Sequence, residues 1–192
     1  MINKPSVTDS IAIFPSELGW MAVVGRGDAV RRLAFGYESP DEVLAALGTA
    51  KIEAARLGRW NPRLIARLQT YARGAKDDFR DVELDLGPRT EFQRRVVERC
   101  RRIGFGRTST YAQLAADAGS PRAARAVGSV MATNPVPLIV PCHRVLAARG
   151  GLGGYSCPLG LEMKKRLLAI EAAAVARPGK RPARRRHAQA GA

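Results

Sequence analysis

Residues 110–133 read TYAQLAADAGSPRAARAVGSVMAT. Thr110 followed three residues later by Gln113 is a capping box, and it opens the helical run YAQLAADA. Gly119 stops that run. Ser120 then offers a second cap, Pro121 suits a first helical position, and a second helix is expected over 121–132. Two short helices joined by a tight turn make a helix-turn-helix, whose second helix commonly docks on DNA. Any helical hairpin has this outline, so the pattern needs support from charge. Arg122 and Arg125, spaced three apart, supply some of it. The whole chain supplies more: its 192 residues carry 32 Lys+Arg against 17 Asp+Glu, a net charge of +15. Such an excess favours a polyanion, either nucleic acid or an anionic membrane surface.

Upstream, Thr90-Glu91-Phe92-Gln93 is another capping box. Phe92, Val96, Cys100 and Ile103 follow at helical spacing, which makes Cys100 a small core residue. Downstream, NPVPLIVPCHRV (134–145) carries an apolar run straight into Cys142-His143-Arg144. Apolar runs ordinarily end in turn residues, so a thiol, an imidazole and a guanidinium here point to chemistry. A thiol reacts as its thiolate and needs a neighbour that lowers its pKa. His143 is the one base available for this, because the other histidine, His187, lies in the C-terminal tail. Adjacent residues on an extended strand face opposite ways, so direct contact requires a turn or a bridging water. Pro137 and Pro141 favour a non-strand geometry, and Glu171 at the end of the last helix is a candidate to orient the imidazole.

The first 88 residues read as a small α/β scaffold. IAIF, LGWMAVV and AVRRLAF are strands, with a turn at Gly25-Arg26-Gly27-Asp28. Helices are expected from the Ser39-Pro40-Asp41-Glu42 start and over Pro62–Tyr71, where Leu64, Ile65 and Leu68 share a face. Val82, Leu84 and Leu86 alternate with acidic residues as in a half-buried strand. At the other end, a last helix covers Leu159–Ile170 and is basic on its exposed side. Residues 176–192 form a basic, proline-containing tail expected to be disordered. Three cysteines with no CxxC pair exclude a disulfide framework and a zinc finger, so no metal or cofactor is expected. No signal peptide is legible, and no run approaches the roughly 20 apolar residues of a membrane span. The chain is read as cytoplasmic. The glycine-rich loop 150–154 lacks the Lys-Ser/Thr ending of a phosphate-binding loop and reads as a flexible loop beside a site.

With these residues assembled, the chain resembles the O6-alkylguanine-DNA alkyltransferases, also called methylated-DNA–protein-cysteine methyltransferases. The resemblance rests on the active-site segment at 134–145, on FQRRVVERCRRIGFGRTSTYAQLAADAGSPRAARAVGSVMATNPVP (92–137) before it, and on GGYSCPLGLEMKKRLLAIE (153–171) after it. It spans about Thr90 to Glu171. It implies an α+β protein with a small ribonuclease-H-like N-terminal domain (1–88) and a helical, winged helix-turn-helix-type domain (89–175).

The resemblance also implies a reaction. Duplex DNA carrying O6-alkylguanine, with O4-alkylthymine as a second candidate, would be bound by a monomer. The damaged base would be flipped out of the stack and its alkyl group moved once to Cys142. His143 would act on Cys142 through a water, and Glu171 would orient His143. Tyr111 would donate to guanine N3, and Asn134 would tie the recognition helix to the active-site turn. Ala124, Ala126 and Gly128 would let that helix approach the minor groove, with Arg125 filling the gap left by the base. Ser156 and the Tyr155 backbone would line the pocket, Pro137 would form part of its wall, and Lys164 belongs to the substrate- and DNA-binding set. Arg144 is a structural ion-pair partner on this reading.

The stretch Cys157-Pro158-Leu159-Gly160 departs from shorter family members and puts a second thiol near the pocket. The zinc site of some members has no ligands here. Three rivals carry distinct signatures. A lesion sensor would lack the acceptor thiol, a methylation-switched regulator would need an effector domain, and a cysteine hydrolase would be indifferent to DNA.

Overall fold

The computed structural model describes residues 9–48, 56–57 and 60–176. Strands β1 (Ser10–Phe14), β2 (Trp20–Arg26) and β3 (Ala29–Tyr37) pair antiparallel in succession, and β4 (Arg56–Leu57) lies parallel to β1. The sheet order is therefore β3-β2-β1-β4. Period-2 alternation gives it two apolar faces. Ile11, Ala22 and Val24 are covered by Val43 and Leu47 of α1 (Pro40–Leu47), while Met21, Val23, Leu33 and Phe35 face the main core. In α1, Ser39 accepts from the Glu42 backbone N–H, but the Glu42 carboxylate takes the N–H of Glu38 and not that of Ser39.

Helix α2 (Pro62–Ala72) is capped by Asn61 and buries Leu64, Leu68, Tyr71 and Ala72. The strand expected at Val82–Leu86 does not form. Only a bridge between Val30 and Leu84 is present. At the start of that run both backbone groups of Val82 are committed elsewhere: its carbonyl accepts from the Arg101 guanidinium and its N–H donates to Phe79 O.

Helices α3 (Glu91–Arg101) and α4 (Tyr111–Asp117) both begin with complete capping boxes, at Thr90/Gln93 and Thr110/Gln113. Helix α5 (Ala124–Ala132) starts three residues later than its sequence suggests. Ser120–Ala123 instead closes a tight turn, with Ala123 N–H donating to Ser120 O over 2.9 Å. Pro121 thus serves the turn, where its fixed φ suits the second position, and Arg122 lies off the helix. Helix α6 (Gly160–Ala176) runs six residues past Ile170. The rest of the tail, 177–192, lies outside the described residues.

A short parallel pair positions the chemistry. β5 (Ser109–Thr110) registers with β6 (Val145–Leu146). Cys142-His143-Arg144 immediately precedes β6, and Tyr111 immediately follows β5, so one pairing brings the two together. The apolar core crosses residue 88: Phe35, Leu68 and Phe79 pack in the same cluster as Val96, Leu114, Val127, Ile139 and Leu167. Among the described residues no helix is long and apolar enough to cross a membrane.

Candidate active site

Cys142–Arg144 form one turn of 3-10 helix. The preceding Leu138, Ile139 and Val140 are buried without forming a strand, and Leu138 takes a φ of +71°. With three residues per turn, the side chains of Cys142 and His143 diverge, so the thiol and imidazole do not meet directly. Cys142 is 7% exposed, and His143 and Arg144 are fully enclosed. Asn134, on the exit from α5, donates to Cys142 Sγ over 3.2 Å and to Val140 O over 2.8 Å, and accepts from Val136 N–H over 3.1 Å. Burial pushes the Cys142 thiol above its ordinary pKa, and the Asn134 donor and the Lys164 charge oppose that push. At rest the group is a protected thiol.

Behind it lies a buried polar network centred on Glu171. Its Oε1 accepts from Tyr71 Oη (2.5 Å) and Arg144 Nη2 (2.8 Å) and lies 2.9 Å from His143 Nε2. Its Oε2 accepts from Gly106 N–H over 2.8 Å. Arg144 Nη1 also donates to Ile103 O (2.6 Å) and Asp78 Oδ1 (3.2 Å). Burial alone would raise the Glu171 pKa, but hydrogen bonds from His143, Arg144 and Tyr71 hold it down at about 2. An ionised Glu171 accepts the Nε2 proton of neutral His143, which leaves Nδ1 as the basic nitrogen. That Nδ1 is buried and has no hydrogen-bond partner in the protein. Burial also lowers the His143 pKa, with Glu171 opposing.

In front of the thiol is a cavity of about 300 Å³ lined by Tyr111, Gly128, Met131, Cys142, Tyr155 and Ser156, among others. This is the lower end of the range for small-molecule sites. A larger cavity of about 530 Å³ lies between the 84–89 segment and α3, but it contains no nucleophile or imidazole. Gly153, at φ +70°, lies against Tyr111: a β-carbon there would come within 2.8 Å of the ring and its hydroxyl. Burial raises the Tyr111 pKa, so its hydroxyl keeps its proton and can donate. The Tyr155 hydroxyl is buried without a partner, and Ser156 Oγ donates to Ala132 O at the end of α5 over 3.0 Å.

On α5, Arg125 and Ala126 are exposed, and Ala124 and Gly128 are half-buried. Pro137 is away from the thiol cavity and lines a neighbouring one with Asn134, Ser156 and Cys157. Lys164, expected in the substrate- and DNA-binding set, is fully buried, and its ammonium donates to the carbonyls of Val145 (2.7 Å), Leu152 (2.5 Å) and Gly154 (3.4 Å). These bonds tie β6 to the 152–154 loop, whose Gly154 lines the thiol cavity. Cys100 is buried and Cys157 half-buried, both free. No group of three metal-ligating side chains occurs among the described residues. Sequence reasoning missed Tyr71 and Asp78. Tyr71 left one trace, a phenol on the buried stripe of α2 with Leu64 and Leu68, since a buried tyrosine hydroxyl usually has a partner.

The sequence profile described as 6-O-methylguanine DNA methyltransferase, DNA binding domain, matches residues 91–173. The methylated-DNA–protein-cysteine methyltransferase of Mycolicibacterium paratuberculosis is 45% identical over 125 residues, covering 62% of this chain and 73% of the relative. The protein of the same name from Methanosarcina acetivorans is 33% identical over 165 residues, 83% of this chain and 96% of the relative. Among solved structures, Mycobacterium tuberculosis OGT in complex with DNA superposes with a TM-score of 0.71 at 31% identity, covering 86% of this chain and 94% of that one.

Proposed function

The chain belongs to the methylated-DNA–protein-cysteine methyltransferase family, and from that premise we propose that it repairs duplex DNA by taking the alkyl group of O6-alkylguanine onto its own Cys142. The observation that carries this reading is the buried free thiol on the wall of a nucleobase-scale cavity beside an exposed-Arg helix. A base inside the stack cannot offer its O6 substituent to that thiol, so the base must be flipped out. Arg125 takes the space it leaves, while Ala124, Ala126 and Gly128 keep α5 slim enough to sit in the minor groove. Tyr155 and Ser156 shape the pocket, and Pro137 supports it from the neighbouring cavity that Ser156 also lines.

His143, basic at Nδ1, draws the thiol proton through one water, and Glu171 stabilises the imidazolium that forms. Sulfur attacks the alkyl carbon. The S–C bond forms as the C–O6 bond breaks, and the electron pair stays on guanine, where the Tyr111 hydroxyl meets it at N3. The thioether is stable, so each molecule acts once. Lys164 belongs to this machinery as the clamp of the pocket loop and not as a phosphate contact. We read residues 1–88 as a ribonuclease-H-like scaffold and 89–175 as the winged helix-turn-helix-type DNA-binding unit of a monomeric, cytoplasmic protein, with O4-alkylthymine as a further substrate.

The test is mass spectrometry of the protein and its peptides after incubation with a duplex bearing one O6-methylguanine. One methyl group on the Cys142 peptide, stoichiometric and absent with undamaged DNA, is expected, and Cys142→Ala should bind but not accept it. Lesion-selective binding without transfer would replace this reading with a sensor. Methyl on Cys157 would move the site.

A further inference from the structure

The N-terminal half contributes a group to the catalytic network. Tyr71 leaves α2 inside the core, its ring set against Phe79 (centroids 5.6 Å apart, tilted) and edge-on to Phe105 (5.9 Å). Both contacts fix the ring, so the hydroxyl reaches one place: 2.5 Å from Glu171 Oε1 and 3.3 Å from His143 Nε2. We propose that Tyr71 is a positioning residue that restrains the Cys142–His143 couple by occupying part of the carboxylate oxygen which His143 also uses. The proposal rests on the roles given above to Cys142 and His143.

A hydrogen bond to a carboxylate spreads its charge and weakens what it offers any other donor. Oε1 is shared among Tyr71, His143 and Arg144. Arg144 is additionally anchored by Asp78 and the Ile103 carbonyl, so it cannot move off. Of the two groups that compete with His143 for this oxygen, Tyr71 is the neutral one. Its removal would return acceptor capacity to His143, strengthen the imidazolium and ease proton removal from Cys142. The restraint suits a nucleophile used once, which gains nothing from reacting with stray electrophiles.

The ionisable groups that act on this centre come from every side. Arg144 shares the 3-10 turn, Asp78 follows α2, Cys100 is on α3, Tyr111 opens α4, Tyr155 and Cys157 are on the loop before α6, and Lys164 is on α6. A Tyr71→Phe change keeps the ring packing and every one of these groups, and removes only the phenol hydroxyl that also acts on Arg144 and Tyr155.

The experiment is the pH dependence of Cys142 alkylation by iodoacetamide without DNA, read on the Cys142 peptide. Tyr71→Phe and Leu68→Val, a core change on the same helix face, are compared with the unaltered chain. Tyr71→Phe should react about threefold faster near neutral pH, its midpoint lower by about half a unit. Leu68→Val should leave the midpoint in place. An unchanged or raised midpoint in Tyr71→Phe overturns the proposal. Should that variant not fold, the ring ¹⁵N shifts of His143 in the unaltered chain still test the shared oxygen: a proton on Nδ1, leaving Nε2 to accept from Tyr71, overturns the proposal. Neither readout involves a lesion, so failure of methyl transfer would count against the repair reading alone.

Discussion

Asn134 donates one side-chain N–H to Cys142 Sγ and the other to the Val140 carbonyl, so a single amide joins the exit of α5 to the thiol. The bond to sulfur is stronger when sulfur is charged, and it opposes the burial that otherwise keeps Cys142 protonated. A hydrogen bond to a charged group contributes about 1.5–3 kcal/mol, equivalent to about 1–2 pKa units. Asn134→Ala should therefore raise the Cys142 thiol pKa by about that much. Alkylation with iodoacetamide across pH 6–10 measures it, and a midpoint equal to that of the unaltered chain would show that the amide does not tune the thiol.

The Glu171–His143 pair sets the acid limit of the fold. His143 is buried with a pKa below its ordinary 6.5, so folding favours its neutral form. That contribution is full above pH 6.5 and declines as pH falls below it, because the unfolded chain takes up the proton first. Glu171 is held at about 2 against an ordinary 4.5. Its contribution is full above 4.5 and is lost as pH falls from there toward 2. Thermal midpoints should thus fall in two stages on acidification. In Glu171→Gln the lower stage should disappear, together with about 3–5 kcal/mol of stability, because Arg144 keeps its buried charge and loses its main partner. Differential scanning calorimetry from pH 7 to pH 3 is the check, and a Glu171→Gln midpoint close to that of the unaltered chain would be the contrary result.

Much of this centre was legible because its parts are local. The capping residues Thr90 and Thr110, the β2–β3 turn and the Cys142-His143-Arg144 run each announce themselves within a few residues. The objection to direct Cys142–His143 contact also followed from local geometry, and the divergence of a 3-10 turn agrees with it. The start of α5 was misread because Ser120-Pro121 suits either a cap or a turn, and the choice is made by a backbone bond from Ala123. The run at Val82–Leu86 alternates like a strand, but a guanidinium from α3 takes its carbonyl acceptor at Val82. Tyr71 and Asp78 were missed because their contacts depend on long-range partners: Tyr71 lies 100 residues from Glu171 in the chain. The burial of Lys164 was illegible for the same reason, since its carbonyl partners lie 10 to 19 residues upstream.

The burial of Lys164 yields a prediction that separates clamp from phosphate contact. Its ammonium serves carbonyls on both β6 and the 152–154 loop and lies 6.0 Å from the centre of the Tyr111 ring. Lys164→Met should leave those carbonyls short of a donor, at about 1–3 kcal/mol for each unsatisfied group. Stability and transfer rate should both fall. DNA affinity measured against salt should keep its slope, because a residue that touches no phosphate releases no counterion on binding. A slope reduced by about one unit would instead return Lys164 to the DNA interface.

Gly153 tests how Tyr111 is held. The backbone there has φ +70°, and a β-carbon would stand 2.8 Å from the Tyr111 ring and hydroxyl. Ala in that conformation costs about 1–2 kcal/mol before any collision. The ring is the softer partner, so Gly153→Ala should displace it and move the hydroxyl away from its place over the cavity. Gly154, the next residue, has open space where its β-carbon would go. Gly154→Ala should therefore leave the free protein's stability within about 0.5 kcal/mol. Methyl transfer from an O6-methylguanine duplex should slow at least about tenfold in Gly153→Ala, as expected when a positioned transition-state donor is moved. Tyr111→Phe should slow transfer comparably, and combining the two changes should add little, since both remove one interaction. Single-turnover kinetics on the three variants measure this, and full additivity would mean that Gly153 acts on the site by some route other than Tyr111.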